Sequence, residues 1–273
     1  MALLVVQNSI KSIAIGSFDG LHLAHQRLIL ECEAIVVIER NSGYLTPGYK
    51  RSYFTSKPMF FYHFDKISNL TPKEFIQKLQ DDFPNLETII VGYDFVFGKD
   101  KAGDIHTLRK LFDKNVMIID EIKLDGISIH SRVIKSYINQ ADIQMANKLL
   151  GREYQIDGTI IKGQGLGSKE FVPTLNIQTD GYILPPSGVY ATKTIIDAHI
   201  YNSVSFLGHR VTTDGSFAIE THLIDCDIST KAYTLGIRFV EFIRANQKFE
   251  SFDALREAID NDISKAREIL YER

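Results

Sequence analysis

His22 and His25 stand three residues apart, directly after the run Ile15-Gly16-Ser17-Phe18-Asp19-Gly20-Leu21. Residues 10–18 are apolar and β-rich, and residues 22–33 carry a helical pattern, so the pair falls at a strand-to-helix junction. In a parallel sheet such a junction puts free backbone N–H groups and the positive end of a helix at the sheet's carboxyl edge. Gly16 and Gly20 let the main chain come close to a ligand, with Phe18 and Asp19 between them. The spacing predicts both imidazoles on one face of the first helical turn, where they can reach one phosphate. Donors placed there stabilise charge developing on a transferring phosphoryl or nucleotidyl group. A bare His-x-x-His also arises by chance or as half of a zinc site. Zinc is poorly supported here, because the only cysteines, Cys32 and Cys226, are distant in sequence and form no Cys-x-x-Cys.

A second group with chemical potential lies in the other half of the chain. Gly163-Gln164-Gly165-Leu166-Gly167 alternates glycines, which allows backbone amides to curve around an anion. Pro173-Thr174-Leu175-Asn176 then adds a hydroxyl and an amide oxygen, hard ligands suited to Mg²⁺ beside nucleotide phosphates. Taken alone, each is equally a barrel turn with a side-chain cap. Further on, Ile219-Glu220-Thr221-His222-Leu223-Ile224-Asp225 reads as a strand. Period two puts Glu220 and His222 on one face, opposite Ile219, Thr221 and Leu223. That face is ordinarily the solvated one.

The elements that must position these residues come in two styles. Residues 34–38 form a continuous apolar run, as in a strand buried on both faces. Thr71-Pro72-Lys73-Glu74 is a capping box with proline at the first helical position, predicting a helix over 72–83. Strands are expected at 86–92 and 116–119, with a helix between them capped by Asp104 and ending near Phe112. This alternation argues for a parallel sheet with helices on both faces. Residues 40–58 read as a long loop, and loops of that length are often functional. After Gly151, strand-like runs follow one another at 155–162, 174–178, 188–198, 204–208, 217–224 and 233–243. Such spacing predicts a small antiparallel barrel. Leu255, Ile259, Ile263, Ala266 and Leu270 share a face of a closing helix. The expected division is therefore an α/β domain over 1–150 and a barrel domain over 151–273, joined by a helical linker at 141–151.

Composition narrows the class of partner. The 273 residues carry a net charge of −3, with 44% hydrophobic and 24% charged residues, as in an ordinary globular protein. Residues 1–150 hold 18 basic against 17 acidic side chains, and the rest 13 against 17. Neither half is a footprint for nucleic acid or for an anionic membrane. There is no run of about 18 apolar residues and no signal-peptide pattern, and two isolated cysteines suit a reducing compartment. The expectation is a cytoplasmic protein acting on small molecules; the sequence leaves its oligomeric state open.

Taken as whole strings, these segments resemble the bacterial bifunctional riboflavin kinase/FAD synthetase family. Gly16-Ser17-Phe18-Asp19-Gly20-Leu21-His22-Leu23-Ala24-His25 looks like the nucleotidylyltransferase signature, in the Phe-Asp-Gly form of the FAD synthetase branch. Val91-Gly92-Tyr93-Asp94-Phe95-Val96-Phe97-Gly98-Lys99 is similar to a second segment of that branch, which implies a flavin contact at Asp94. His130-Ser131-Arg132-Val133-Ile134-Lys135 stands where the family has Ser-Ser-Thr-x-Ile-Arg, which implies phosphate contacts from Ser131 and Lys135. Lys135 keeps the charge of that arginine without its bidentate fork. Ala24 replaces the family's glycine, and Val36-Val37-Ile38-Glu39-Arg40 replaces its proline-containing segment.

In the second half, the glycine run with Pro173-Thr174-Leu175-Asn176 looks like the ATP–Mg²⁺ site of riboflavin kinases. Glu220-Thr221-His222-Leu223-Ile224-Asp225 resembles the segment whose glutamate is the catalytic base. Arg244 falls where the family's arginine contacts flavin. The resemblance implies a Rossmann-like adenylyltransferase domain and a barrel kinase domain, with Mg²⁺ and ATP, and with riboflavin, FMN and FAD as substrates and products. Two other readings stay open: a kinase whose first domain only binds nucleotide, and a flavin-binding regulator without catalysis.

Overall fold

The computed structural model describes residues 8–40, 43–162, 172–209, 215–226 and 232–271. The chain divides into two compact units, Met1–Ser131 and Arg132–Arg273.

In the first unit five parallel strands form one sheet: β1 Ser12–Gly16, β2 Ala34–Glu39, β3 Met59–His63, β4 Thr88–Gly92 and β5 Asn115–Ile119, in the order β3-β2-β1-β4-β5. Their alternation of side chains feeds two cores. Ile13, Ile15, Val36, Ile89 and Val91 pack with Phe75, Ile76, Leu79 and Leu108 on one face. Ala14, Ile35, Val37 and Ile90 pack with Phe18, Leu21, Leu28, Ile29 and Cys32 on the other. Helix α1 (Leu23–Leu30) covers the second face. The first is covered by α3 (Pro72–Asp82) and α4 (Ile105–Leu111), while α2 is a single turn, Phe64–Ile67. The expected caps are present. Thr71 Oγ1 accepts from the Glu74 N–H while Glu74 accepts from the Thr71 N–H, and Asp104 accepts from the Thr107 N–H.

Residues 40–58 are not simply a loop. They contain a 3₁₀ helix, Gly48–Phe54, and lead into β3, which the sequence did not announce. The long glycine-containing stretch after β4 is clasped on itself. Phe97 and Gly103 exchange two backbone hydrogen bonds of 2.9 Å, and a Cβ at Gly98 (φ 75°) would sit 2.9 Å from Pro72.

The second unit begins with α5 (Ser131–Asn139, its first residue belonging to the first unit) and α6 (Ile143–Leu150), where the sequence suggested a helical linker. Asp142 caps α6 by accepting from the Met145 N–H, and Gly151 ends it in the left-handed region at φ 74°. Within this unit α6 is tied to the barrel, not free. Asn147 donates to Phe239 O at 2.9 Å and accepts from the Tyr154 N–H at 2.7 Å. After the short antiparallel pair β6 Lys123–Leu124 and β7 Ile127–Ser128 of the first unit, the barrel strands are β8 Tyr154–Ile161, β9 Leu175–Gln178, β10 Gly188–Ile196, β11 His199–His209, β12 Phe217–Leu223 and β13 Thr234–Ala245. These six close a barrel in the order β10-β11-β12-β9-β8-β13. Helix α7 (Phe252–Tyr271) packs on its outer face through Ile263, Ala266 and Leu270, against Val189, Ala191, Val204 and Val240.

The barrel interior holds an unexpected polar circuit. Thr192, Thr194, Ser203, Ser205 and Thr221 are wholly buried. Thr194 donates to Ser203 and Ser205 donates to Thr221, each at 2.9 Å. The contacts Thr192–Ser203 (2.8 Å), Thr192–Ser205 (2.7 Å) and Thr194–Thr221 (2.9 Å) close a ring of five hydroxyls. One sense of donation runs all the way round: Thr194 to Ser203 to Thr192 to Ser205 to Thr221 and back. Each oxygen therefore gives and accepts one bond without water. Thr194→Val keeps the shape but leaves the Thr221 hydroxyl with no acceptor, so it is expected to lower stability by about 1–3 kcal/mol in urea unfolding. Thr234→Val, on an exposed site of β13, should stay within about 0.5 kcal/mol of wild type. Equal effects of the two substitutions would show that the ring contributes nothing.

Candidate functional site

The strand order makes β1 and β4 neighbours whose following connections leave in opposite directions along the sheet. Ligands of open α/β sheets bind at such a switch point, outside the carboxyl ends of the strands. Both motifs of the first unit sit there: residues 17–22 follow Gly16 at the end of β1, and Tyr93-Asp94 follow Gly92 at the end of β4.

The turn after β1 is strongly bent, with positive φ at Phe18 (46°), Gly20 (85°) and Leu21 (39°). Three of its carbonyls are engaged. Phe18 O accepts from the Leu21 N–H and from Arg51 Nε (both 3.3 Å). Asp19 O accepts from Ser131 Oγ (2.7 Å), and Leu21 O from Gln26 Nε2 (3.2 Å). Asp19, 3% exposed, does not offer its carboxylate outward; Oδ1 accepts from the Leu45 and Thr46 N–H groups at 2.8 and 3.1 Å. Phe18 has a fully buried ring, so any contact it makes with a nucleotide is through its backbone. A Cβ at Gly16 would meet only the Phe18 ring at 3.5 Å, so space within the protein does not demand glycine there.

His22 is not on the first helical turn, as its spacing suggested. It is the N-cap of α1, with extended backbone, and its Nδ1 accepts from the His25 N–H at 3.3 Å. Capping explains the difference: an imidazole nitrogen satisfies a helix-end N–H only from outside the helix. The two rings still meet, stacked with centroids 3.6 Å apart and 17° between planes. With Nδ1 accepting, Nε2 carries the ring proton of His22. Sequence reasoning thus found the pair and misread its geometry.

Ser131, at the start of α5, closes the far side of the turn through Asp19 O. Lys135 follows one helical turn later, in the second compact unit. Asp94 is exposed, with Oδ2 3.9 Å from His130 Nδ1; the His130 Nε2 in turn lies 3.1 Å from the Tyr93 hydroxyl. Tyr93 donates to Glu121 at 3.4 Å, and Lys123 and Ser128 beside Glu121 hold its carboxyl below the ordinary range. The sequence reading missed this group around Tyr93 and His130, and only the nearness of His130 to Ser131 hinted at it.

In the second unit β12 and β9 are antiparallel neighbours, and Glu220 pairs directly with Asn176. Residues directly opposite share a face, with Cβ atoms about 5 Å apart. Glu220 and His222 are half-exposed while Ile219, Thr221 and Leu223 are buried, so the period-two expectation holds. His222 Nδ1 lies 2.8 Å from Pro173 O, which fixes the approach to Thr174. Glu220 also pairs with Phe206 on its other side, and Phe206, like Val172, packs against the cluster shared with α7. A cleft of about 410 Å³ adjoins this face, lined by Lys162, Asn176, Gln178, Thr179 and Phe217 among others. Arg244 belongs to the α7 side. Its Nε and Nη2 bind the Asp262 carboxylate (2.9, 3.1 and 2.6 Å), and its guanidinium carbon lies 5.5 Å from the centre of the Phe249 ring. Gly163, Gly165 and Gly167 lie outside the described residues.

No group of three or more His, Cys, Asp or Glu side chains that could hold a metal ion occurs among the described residues. What the second unit does assemble is the Asn176 amide opposite the Glu220 carboxylate, with the Thr174 hydroxyl two residues earlier in the chain. That donor set fits Mg²⁺, which takes few protein ligands and keeps water and substrate phosphates for the rest.

Known proteins match the two parts of the chain separately. The riboflavin kinase family model matches residues 150–270, and the FAD synthetase model residues 54–133. The bifunctional riboflavin kinase/FMN adenylyltransferase of Pseudomonas fluorescens is 27% identical over 93% of this chain and 91% of its own. The protein of the same description from Haemophilus influenzae is 29% identical over 94% and 93%. Among solved structures, one described as a macrolide-efflux protein from Streptococcus pneumoniae superposes with a TM-score of 0.84 at 25% identity, covering 96% of both chains. That likeness carries the fold. Two family models in tandem, and relatives that match nearly end to end, place the chain in the bifunctional riboflavin kinase/FAD synthetase family.

Proposed function

We infer that the chain phosphorylates riboflavin with ATP and then adenylylates the FMN to FAD. The observation that carries this reading is the pairing of Glu220 with Asn176, next to a Thr174 approach fixed by His222. In the kinase step Glu220 accepts the proton of the ribityl 5′-hydroxyl. That oxygen bonds to the γ-phosphorus of ATP, the bond from γ-phosphorus to the bridging oxygen breaks, and ADP leaves. Thr174 and Asn176 would hold Mg²⁺, which when bound spreads the charge of the phosphates. Gly163, Gly165 and Gly167 are proposed to wrap the nucleotide, and Arg244, oriented by Asp262, to face the flavin.

In the adenylyl step a phosphate oxygen of FMN attacks the α-phosphorus of a second ATP, and pyrophosphate leaves. The backbone of Gly16, Phe18, Asp19 and Gly20, with His22 and His25, is proposed to hold the charge that develops there. Ser131 and Lys135 complete the phosphate contacts and Asp94 the flavin contact. We assign residues 1–150 to adenylylation and 151–273 to the kinase; the match of the riboflavin kinase model from residue 150 supports this, even though α5 and α6 belong to the compact unit of the barrel. Free Cys32 and Cys226 suit a cytoplasmic setting.

Product analysis with riboflavin and Mg-ATP tests the reading. FAD is the expected end product, preceded by a transient of FMN, because Lys135 gives one-point contact where an arginine would give two. FMN alone would reduce the chain to a kinase, and neither product would reduce it to a flavin-binding protein. FAD appearing with no FMN transient would refute the slow second step.

A further inference from the structure

Arg51 is the largest wholly buried side chain among the described residues and carries a charge, yet no step above uses it. It lies in the 3₁₀ helix Gly48–Phe54 of the connection between β2 and β3. Its Nη1 donates to Glu39 Oε1, at the end of β2, and to Gly48 O, both at 3.0 Å. Its Nε reaches away from these partners to Phe18 O at 3.3 Å. The same connection is gripped from the other side, since Asp19 of the turn accepts from the Leu45 and Thr46 N–H groups. A charged group of the turn is thus buried in the connection, and a charged group of the connection is buried against the turn.

This reciprocal clasp bears on chemistry because of where it acts. Phe18 and Leu21 hold positive φ, a conformation that a non-glycine residue keeps only when its surroundings enforce it. The turn so held delivers His22, the cap of α1, at the switch point of the sheet. Stability alone is a poor reason for the arrangement, because buried ion pairs can often be replaced by apolar groups without loss. A guanidinium, unlike an ammonium, can bind Glu39 and Phe18 O at once through nitrogens held rigidly apart.

We propose that Arg51 is a positioning residue for adenylylation: by fixing the Phe18 carbonyl it sets the bent turn that presents His22 and the backbone amides to the nucleotide. It touches no reacting atom and acts through the turn. The proposal rests on the assignment of adenylylation to that turn.

The test uses the full chain with Arg51→Lys, Arg51→Met and Glu39→Gln/Arg51→Met, beside His22→Ala/His25→Ala. In each, FMN adenylylation, riboflavin phosphorylation and the melting temperature are measured. Arg51→Lys should stay folded yet lose about 10–100-fold in kcat for adenylylation, the scale of a displaced reacting group, with the KM for ATP within about 3-fold. The Glu39→Gln/Arg51→Met variant removes both charges, so its melting temperature should recover relative to Arg51→Met while its adenylylation stays low. Riboflavin phosphorylation should be unchanged throughout. If adenylylation returns together with stability in the paired variant, or Arg51→Lys keeps kcat within about 3-fold, Arg51 is structural only and the proposal falls. If instead the double histidine variant still makes FAD, the assignment of the turn to adenylylation fails, a separate result read from a separate protein.

Discussion

Replacing His22 and His25 together with alanine is expected to cut FAD formation from FMN by at least about 100-fold, while riboflavin phosphorylation stays within a few-fold of wild type. The magnitude is that of losing a preorganised electrostatic stabiliser of a transition state. The geometry calls for the double change. The rings stack at 3.6 Å, and His22 Nδ1 caps the His25 N–H, so either single substitution moves the survivor. Losing the cap also costs the helix about 1 kcal/mol, which must be separated from loss of chemistry. His22→Asn supplies a side-chain oxygen as cap without an imidazole. It should recover the melting temperature of the double variant, when combined with His25→Ala, and leave adenylylation low. Recovery of FAD synthesis along with the melting temperature would mean that the histidines serve the helix and not the nucleotide.

The architecture was legible in the sequence where a strong local rule governs it. The Thr71 capping box, the buried runs of β2 and β4 and the apolar face of α7 each depend on neighbours within a few residues, and each appears where the pattern put it. What stayed hidden depends on partners far along the chain. Arg51 reads as one more charge in a polar loop, and only the nearness of Glu39 and Phe18, 12 and 33 residues back, makes it a buried clasp. The hydroxyl ring is hidden for the opposite reason. Period-two hydroxyls at Thr192, Thr194, Ser203 and Ser205 look like a solvated face, and they are interior because each finds its partner across a strand. His22 shows a third limit: its spacing from His25 was correctly read as bringing two rings together, but spacing cannot distinguish a cap from a first turn.

Glu220→Gln is expected to lower riboflavin phosphorylation by about 10²–10⁴-fold, the range of a general-base contribution. The substitution keeps the size of the side chain and its hydrogen bonding, so substrate binding should change little and the loss should fall on kcat. Little else should move. Glu220 is half-exposed, and its strand is held from the opposite face by buried Ile219, Thr221 and Leu223. The register with Asn176 is a backbone property, so the amide will still stand opposite it. The same preparation should convert supplied FMN to FAD at the wild-type rate, because the residues assigned to adenylylation lie on other elements, around residues 16–25, 94, 131 and 135. Both assays on one purified sample, with circular dichroism as the folding control, therefore examine two claims together. Kinase activity within a few-fold of wild type would remove Glu220 from the role of base and leave its pairing with Asn176 without a catalytic meaning. Loss of both activities in a well-folded protein would instead show that the two halves do not catalyse independently, whatever the part played by Glu220.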